Sequence, residues 1–360
     1  PISETGMAVL GAPLPVCGTD FVDKYLNKKV FGPLKSGVHR VCEVLRDEPQ
    51  VALHILRGAV GLPKLRHVLG TVPPSMLETE LAIVDALLVR SVADMAQVQA
   101  PSDFTRTVWQ LPPGLAGFGL GSALLESLPA YVATAHSTRS LRAVIHPASV
   151  DEVQGLEAAS TMLQTLLPAE RIDPSPFTGK PWKVDLQAIL RSKEARPTLC
   201  RILQENTYAR AFGKGTAREK ALLLLQRADG GGEVVNLSPN VGEGTVIAPK
   251  SFVRAMKYHS GVELFPMDGK TAASMVCVYC DNQMDVWGDH VSTCKSAGLG
   301  TRHNRLRDKH AFQLKRGGYS GDLEPSGLVE DDAKRPADVL VYRMFHGKDA
   351  WIDHTVKGPY

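Results

Sequence analysis

CVYCDNQMDVWGDHVSTC, residues 277–294, gathers three cysteines and one histidine in a chain that has only six cysteines in all. Cys277 and Cys280 have the C-x2-C spacing that turns two thiolates toward one point. His290 and Cys294 lie four apart, one helical turn, so both can face that same point. The whole reads C-x2-C-x9-H-x3-C, a complete set of four ligands. Such a set leaves no position for a substrate water, so it predicts a structural zinc site. The plainer alternative is a pair of core cysteines with a chance His and Cys. The full ligand count and the two fitting spacings favour zinc. The loop is longer than in a retroviral-type knuckle, so that knuckle's mode of binding RNA does not carry over. The metal is expected to staple a small core, with any chemistry lying beside it.

The segment C-terminal to the cluster is basic. TRHNRLRDKHAFQLKRGG, residues 301–318, holds Arg302, Arg305, Arg307, Lys309, Lys315 and Arg316, with His303 and His310 and the single acid Asp308. Helical spacing puts Arg302, Arg305 and Lys309 along one face. A helix so charged, next to a zinc staple, suits phosphate contacts. The nucleic-acid candidates are Arg302, His303, Arg305, Arg307 and Lys309. A merely solvated face is the alternative.

The last stretch, KRPADVLVYRMFHGKDAWIDHTVKGPY (334–360), alternates like a hairpin and carries Asp338 at the start of one strand and Asp353 in the next. Two carboxylates at one end of a hairpin can hold Mg²⁺ or Mn²⁺, which polarises a phosphate and activates water. Asp353, Thr355 and Lys357 share a strand face by period two, so Lys357 can point at the same ion. Glu324, in DLEPSG, is a third candidate acid. Solvent-exposed acids without a metal are the alternative.

The rest of the chain sets the frame. Its 360 residues call for two or three domains, and 44% hydrophobic with 22% charged residues is ordinary for globular protein. A net charge of +3 confines any nucleic-acid surface to a patch. No apolar run approaches membrane-spanning length, and the first residues do not read as a signal peptide. The absent initial Met suggests a processed piece or fragment. Three scattered and three clustered cysteines do not make a disulfide framework, so an intracellular reducing compartment is expected, nucleus and organelle both being open. Residues 1–18 read as strand and turn, and amphipathic helices continue to about residue 145. The expected division is a helical region over 1–145, a helical linker region over 146–228, a Gly-rich linker with the zinc module over 229–300, and the basic helix with its hairpin over 301–360. The main boundary is RADGGGEVVNLSPNVGEGTVIAP (227–249), a composition that stays mobile unless something packs on it.

Together these segments resemble the C-terminal part of non-LTR (LINE-type) retrotransposon reverse transcriptases. GMAVLGAPL (6–14) resembles the segment that comes after their polymerase site. LPPGLAGFGLGSA (111–123) resembles a Gly-rich segment further on, and CVYC…MDVWGDHVSTC with RHNRLRD resembles their zinc-binding segment. RPADVLV…WIDHTV resembles their restriction-like endonuclease of the PD-(D/E)xK class. The resemblance implies a thumb and connection over 1–145, then a small zinc-stapled α+β module with a partial nuclease fold. It implies that Asp338 and Asp353 bind the nicking metal and that the zinc module and basic helix grip RNA or DNA. The polymerase aspartates would lie upstream of Pro1, and the nuclease core would continue past Tyr360. Thr355 stands where the family's lysine would be, so little or no cutting is expected of this chain. The expected function is therefore a nucleic-acid-binding segment of a retroelement protein. Its alternatives are a domesticated, structural RNA-binding subunit of a large ribonucleoprotein such as an organellar ribosome, and a zinc-stapled scaffold without nucleic acid.

Overall fold

A computed structural model describes residues 2–3, 6–9, 12–15, 20–145, 155–168, 170–171, 182–228, 231–265, 276–294, 296, 298–325 and 337–353. The chain is mainly helical and divides into two compact units, Pro1–Val262 and Glu263–Tyr360.

The first unit opens with a small antiparallel meander, β1 (Ile2–Ser3), β2 (Gly6–Val9) and β3 (Ala12–Pro15). Helix α1 (Asp20–Leu26) passes through a π turn, Asn27–Phe31, into α2 (Gly32–Val44). The cause is Pro33, which has no N–H to give; the Gly32 N–H reaches back to Asn27 O and the turn widens. Next come helix α3 (Pro49–Ile55), a second π turn (Leu56–Val60), a 3₁₀ turn (Leu62–Leu65) and α4 (Arg66–Thr71). Helix α5 (Pro74–Met95) is the axis of the unit. Its Leu77, Leu81, Val84, Leu88 and Val92 recur at spacings of three and four and are all buried.

Helices α6 (Asp103–Gln110) and α7 (Ala123–Ser137) are each capped by a serine, Ser102 on Thr105 N and Ser122 on Leu125 N. Between them runs the Gly/Pro loop. Asp85 of α5 accepts from Ala123 N at 2.7 Å and from Ser122 Oγ at 2.6 Å, tying α7 to the axis. After α8 (Arg139–Ile145), a second apolar cluster joins α7 to α9 (Leu156–Leu166), α10 (Leu186–Leu190) and α11 (Ala195–Lys214) through Val132, Leu163, Leu190, Leu199 and Leu203. A short ladder of β4 (Glu170–Arg171) and β5 (Trp182–Lys183) lies within 146–228, a region expected from its sequence to be mostly helical. Helix α12 (Ala217–Arg227) starts on a full capping box, Thr216 with Glu219, and α13 (Glu233–Asn236) and α14 (Pro249–His259) complete the unit.

The division between units differs from the expected one. It falls after Val262, not at the Gly-rich stretch 227–249. The reason is polar anchoring that composition does not reveal. Buried Gln50 donates to Leu237 O and Thr245 O and accepts from Ile247 N. Arg57 donates to Asn236 Oδ1 and Asn236 O, both at 2.7 Å. Helix α14 is held in turn by Ser260, whose Oγ accepts from Trp109 Nε1 at 2.6 Å and whose carbonyl accepts from Thr105 Oγ1 at 3.0 Å. Residues 236–247 are therefore tied to the first unit by these bonds from Gln50 and Arg57, while 240–244 remain exposed.

The second unit contains α15 (Asp289–Thr293), α16 (Leu299–Arg316) and a three-stranded antiparallel sheet in the order β6 (Gly321–Leu323), β7 (Val339–Phe345), β8 (Lys348–Ile352). The expected hairpin is β7–β8. Its turn, His346-Gly347, has φ of 51° and 79°, the left-handed pair that a tight hairpin requires. The third strand, β6, was not legible in DLEPSG. Ala337, Val339, Leu340 and Val341 are buried, so β7 is the centre of this small core. Among the described residues no helix is long and apolar enough to cross a membrane.

Candidate metal centre and basic helix

The Cys277–Cys280 knuckle is closed by its own backbone. Cys277 N donates to Asn282 O at 2.8 Å, and Asp281 N donates to Cys277 O at 2.9 Å. Asp281 takes a left-handed φ of 56° to make that turn, a conformation that Asp tolerates better than most residues. The second pair comes from α15, with Cys294 as its C-cap. The four ligand atoms of Cys277, Cys280, His290 and Cys294 lie within 4.8 Å of one another. Cys277 Sγ is 3.8 Å from Cys294 Sγ, and Cys280 Sγ is 3.3 Å from His290 Nε2. Tetrahedral bonds of about 2.3 Å to sulfur and about 2.0 Å to nitrogen require edges of about 3.8 Å and about 3.5 Å. A disulfide would bring its sulfurs to about 2.05 Å. The donor set fits one tetrahedral ion such as zinc.

The electrostatics agree with that use. A backbone N–H from Tyr279, with help from His290, draws the Cys277 thiol down to about 6, despite its burial. That shift favours the thiolate, the form that ligates metal. Cys280 receives the Asn282 N–H, yet burial and the neighbouring Cys294 and Cys277 thiols leave it raised. Crowded thiols resist losing a second proton, and a bound cation removes that resistance.

Asp285 is the positioning residue that sequence reasoning missed. Its carboxylate accepts from Trp287 N and Asp289 N at 2.9 Å and from His290 N at 2.5 Å. Burial pushes this carboxyl up, but the backbone N–H groups outweigh it and hold it below the usual carboxylate range. The turn includes Gly288 at φ 83°, where a Cβ would also meet Leu264 Cδ1 at 3.0 Å. The available signal was an Asp shortly before a Gly-Asp-His helix start.

Helix α16 presents two faces. His303, Arg307, His310 and Leu314 recur at spacings of three and four and are partly buried. His303 Nε2 lies 3.0 Å from Asp338 Oδ1, and Arg307 pairs with both Asp308 and Glu324. Hydrogen bonding to Asp308, with the charges of Glu324 and Asp338 nearby, raises the Arg307 pKa. Arg307 is only 12% exposed and is turned toward these acids. Arg305 and Lys309 sit on the exposed face. The Arg302 side chain lies outside the described residues.

The expected acidic site is only partly assembled. Asp338 N donates to Ile352 O at 3.0 Å, so Asp338 and Asp353 leave the β7–β8 ladder at the same end. Glu324 N donates to Asp338 O at 2.8 Å. The side chains differ in use: Asp338 is turned to His303, Glu324 to Arg307, and Asp353 is exposed. Among the described residues the Cys/His cluster is the group that could hold an ion, and Glu324, Asp338 and Asp353 form no such group. Lys357 lies outside the described residues, as does Thr355. No family model matches the chain, and no curated protein matches it either.

Proposed function

We propose that the second unit is a zinc-stapled nucleic-acid-binding module of the kind found at the C-terminal end of non-LTR retrotransposon proteins. In this reading its nuclease-like hairpin supports the fold and cuts little or not at all. The observation that carries the reading is the convergence of Cys277, Cys280, His290 and Cys294 within 4.8 Å, with a helix carrying cations on its outer face directly after them. Zinc fixes α15 and the knuckle, and Arg305 and Lys309 meet phosphates without reading bases. The carboxylates of Asp338 and Glu324 already have cationic or hydrogen-bonding partners, which leaves them poorly disposed to gather a hydrated Mg²⁺.

The purified chain tests this directly. One zinc per chain is expected, together with binding to RNA and DNA duplexes that falls steeply with salt. Changing Arg305 and Lys309 to Ala should weaken all sequences alike and lower the salt slope by about one unit per lost contact. Unchanged affinity in that variant removes α16 from the interface. On the chemical side, nicked plasmid should not accumulate with Mg²⁺ or Mn²⁺. Robust metal-dependent nicking that disappears in Asp353→Asn would restore a working endonuclease.

A further inference from the structure

A second basic surface lies in the first unit, and neither the zinc module nor the acidic hairpin accounts for it. Helix α14 reads PKSFVRAMKYH, with three cations and no acid. Its Phe252, Met256 and His259 are buried. Lys250, Arg254 and Lys257 fall at i, i+4 and i+7, on the opposite side of the helix. They form a stripe with steps of about 6 Å and about 4.5 Å along the axis. Among the described residues none of the three is in an ion pair with a carboxylate. Lys250 also sits in the first turn, where the helix dipole disfavours a cation, so local stability does not explain it.

The stripe is extended from a second helix. The Arg218 guanidinium of α12 lies over the Tyr258 ring of α14, 5.8 Å from its centre. A cation seated on an aromatic face keeps its charge at the surface while its stem is held. Arg227 and Lys220 are seated in the same manner on Tyr208 and Phe212 of α11. Of the acids on these helices, Glu205 pairs with Arg201 and Glu219 serves the α12 capping box.

We infer that Lys250, Arg254, Lys257 and Arg218 form a second nucleic-acid contact, which grips the phosphate backbone without reading sequence. The partner class is set by the groups this surface lacks. An anionic bilayer would need the apolar face of α14, and that face is buried in the core. A protein interface would need exposed aromatic anchors, and Tyr258 is covered by Arg218. A row of cations without apolar or base-stacking groups is suited to a polyphosphate.

The experiment uses the full chain and a Lys250→Gln, Arg254→Gln, Lys257→Gln variant, titrated with mixed-sequence duplex DNA and RNA over a range of salt. Affinity should fall about tenfold and the salt slope should drop by roughly two to three. A Lys250→Arg, Lys257→Arg variant should bind like the parent. Acetylation of Lys250 and Lys257 in the parent chain should be slowed by the oligonucleotide, a readout that holds even where the Gln variant folds poorly. Equal affinity and slope, unprotected lysines, or preference for phosphatidylserine vesicles over nucleic acid would overturn the inference. Because the α16 variant is measured separately, a loss confined to one variant assigns the contact to that surface alone.

Discussion

His290 is aimed by Asp285. The ring belongs to a helix too short to hold itself, and three backbone N–H groups converge on one carboxylate to fix its first turn. Asp285→Asn keeps the shape but weakens those charge-assisted bonds. Metal affinity should fall roughly tenfold, as for other residues that orient a ligand from behind. Competition with a chromophoric chelator measures it, and Co²⁺ spectra report whether the S₃N geometry is disturbed. Affinity equal to the parent's would show that α15 needs no such support. His259 makes a different kind of prediction. It is buried, its Nδ1 has no hydrogen-bond partner among the described residues, and burial lowers its pKa to about 4. The unfolded chain, with an ordinary value near 6.5, takes up the proton first. The neutral ring therefore contributes its full stability above about 6.5, and that contribution is lost progressively as pH falls toward about 4. The loss amounts to about 3 kcal/mol. Hydrogen exchange at the Trp109 indole and the α14 amides should speed up across that window, and His259→Leu should flatten the dependence.

At the scale of elements, Gln50 decides where the first unit ends. One buried amide satisfies Leu237 O, Thr245 O and Ile247 N. Gln50→Ala strands those groups and should cost about 2–3 kcal/mol. Faster exchange confined to residues 237–247 is the expected sign, and an unchanged exchange pattern would refute the anchoring role. The same residue explains what the sequence could and could not convey. Periodic apolar positions announced α5, and the local spacing of Cys277, Cys280, His290 and Cys294 announced the metal cluster, because both signals are short-range. Gly-rich composition suggested a linker, since nothing in it points to a partner nearly two hundred positions earlier. The β7–β8 hairpin was visible in its alternation, whereas β6 is short and exposed and has no periodicity to betray it. Arg307 looked like an outward cation because charge counting ignores helical phase. It shares the inward phase with His303 and meets Glu324 and Asp308.

For the whole molecule, the two units draw their stability from different sources. The first has an extended apolar core running through α5, with Leu77, Leu81, Val84, Leu88 and Val92 buried together with Trp109, Phe118 and Phe252. Among the described residues the second has a much smaller set of buried apolar side chains, of which Cys277 and Cys294 are themselves two. A core that small is marginal without a staple. Metal bound at the cluster is therefore folding free energy for the second unit and nearly irrelevant to the first. A strong chelator should release the second unit while the first stays folded. Limited proteolysis after chelation should cut within 276–325 and leave a stable fragment ending near Val262, and zinc added before the protease should abolish the cuts. Cys294→Ser should reproduce the chelated pattern without any chelator. Heat should act in sequence on the metal-loaded chain, with one transition that moves with free zinc concentration and a second that does not. A single transition that shifts as a whole with zinc would mean that the metal supports both units, and the second unit would then not be an independently stapled module.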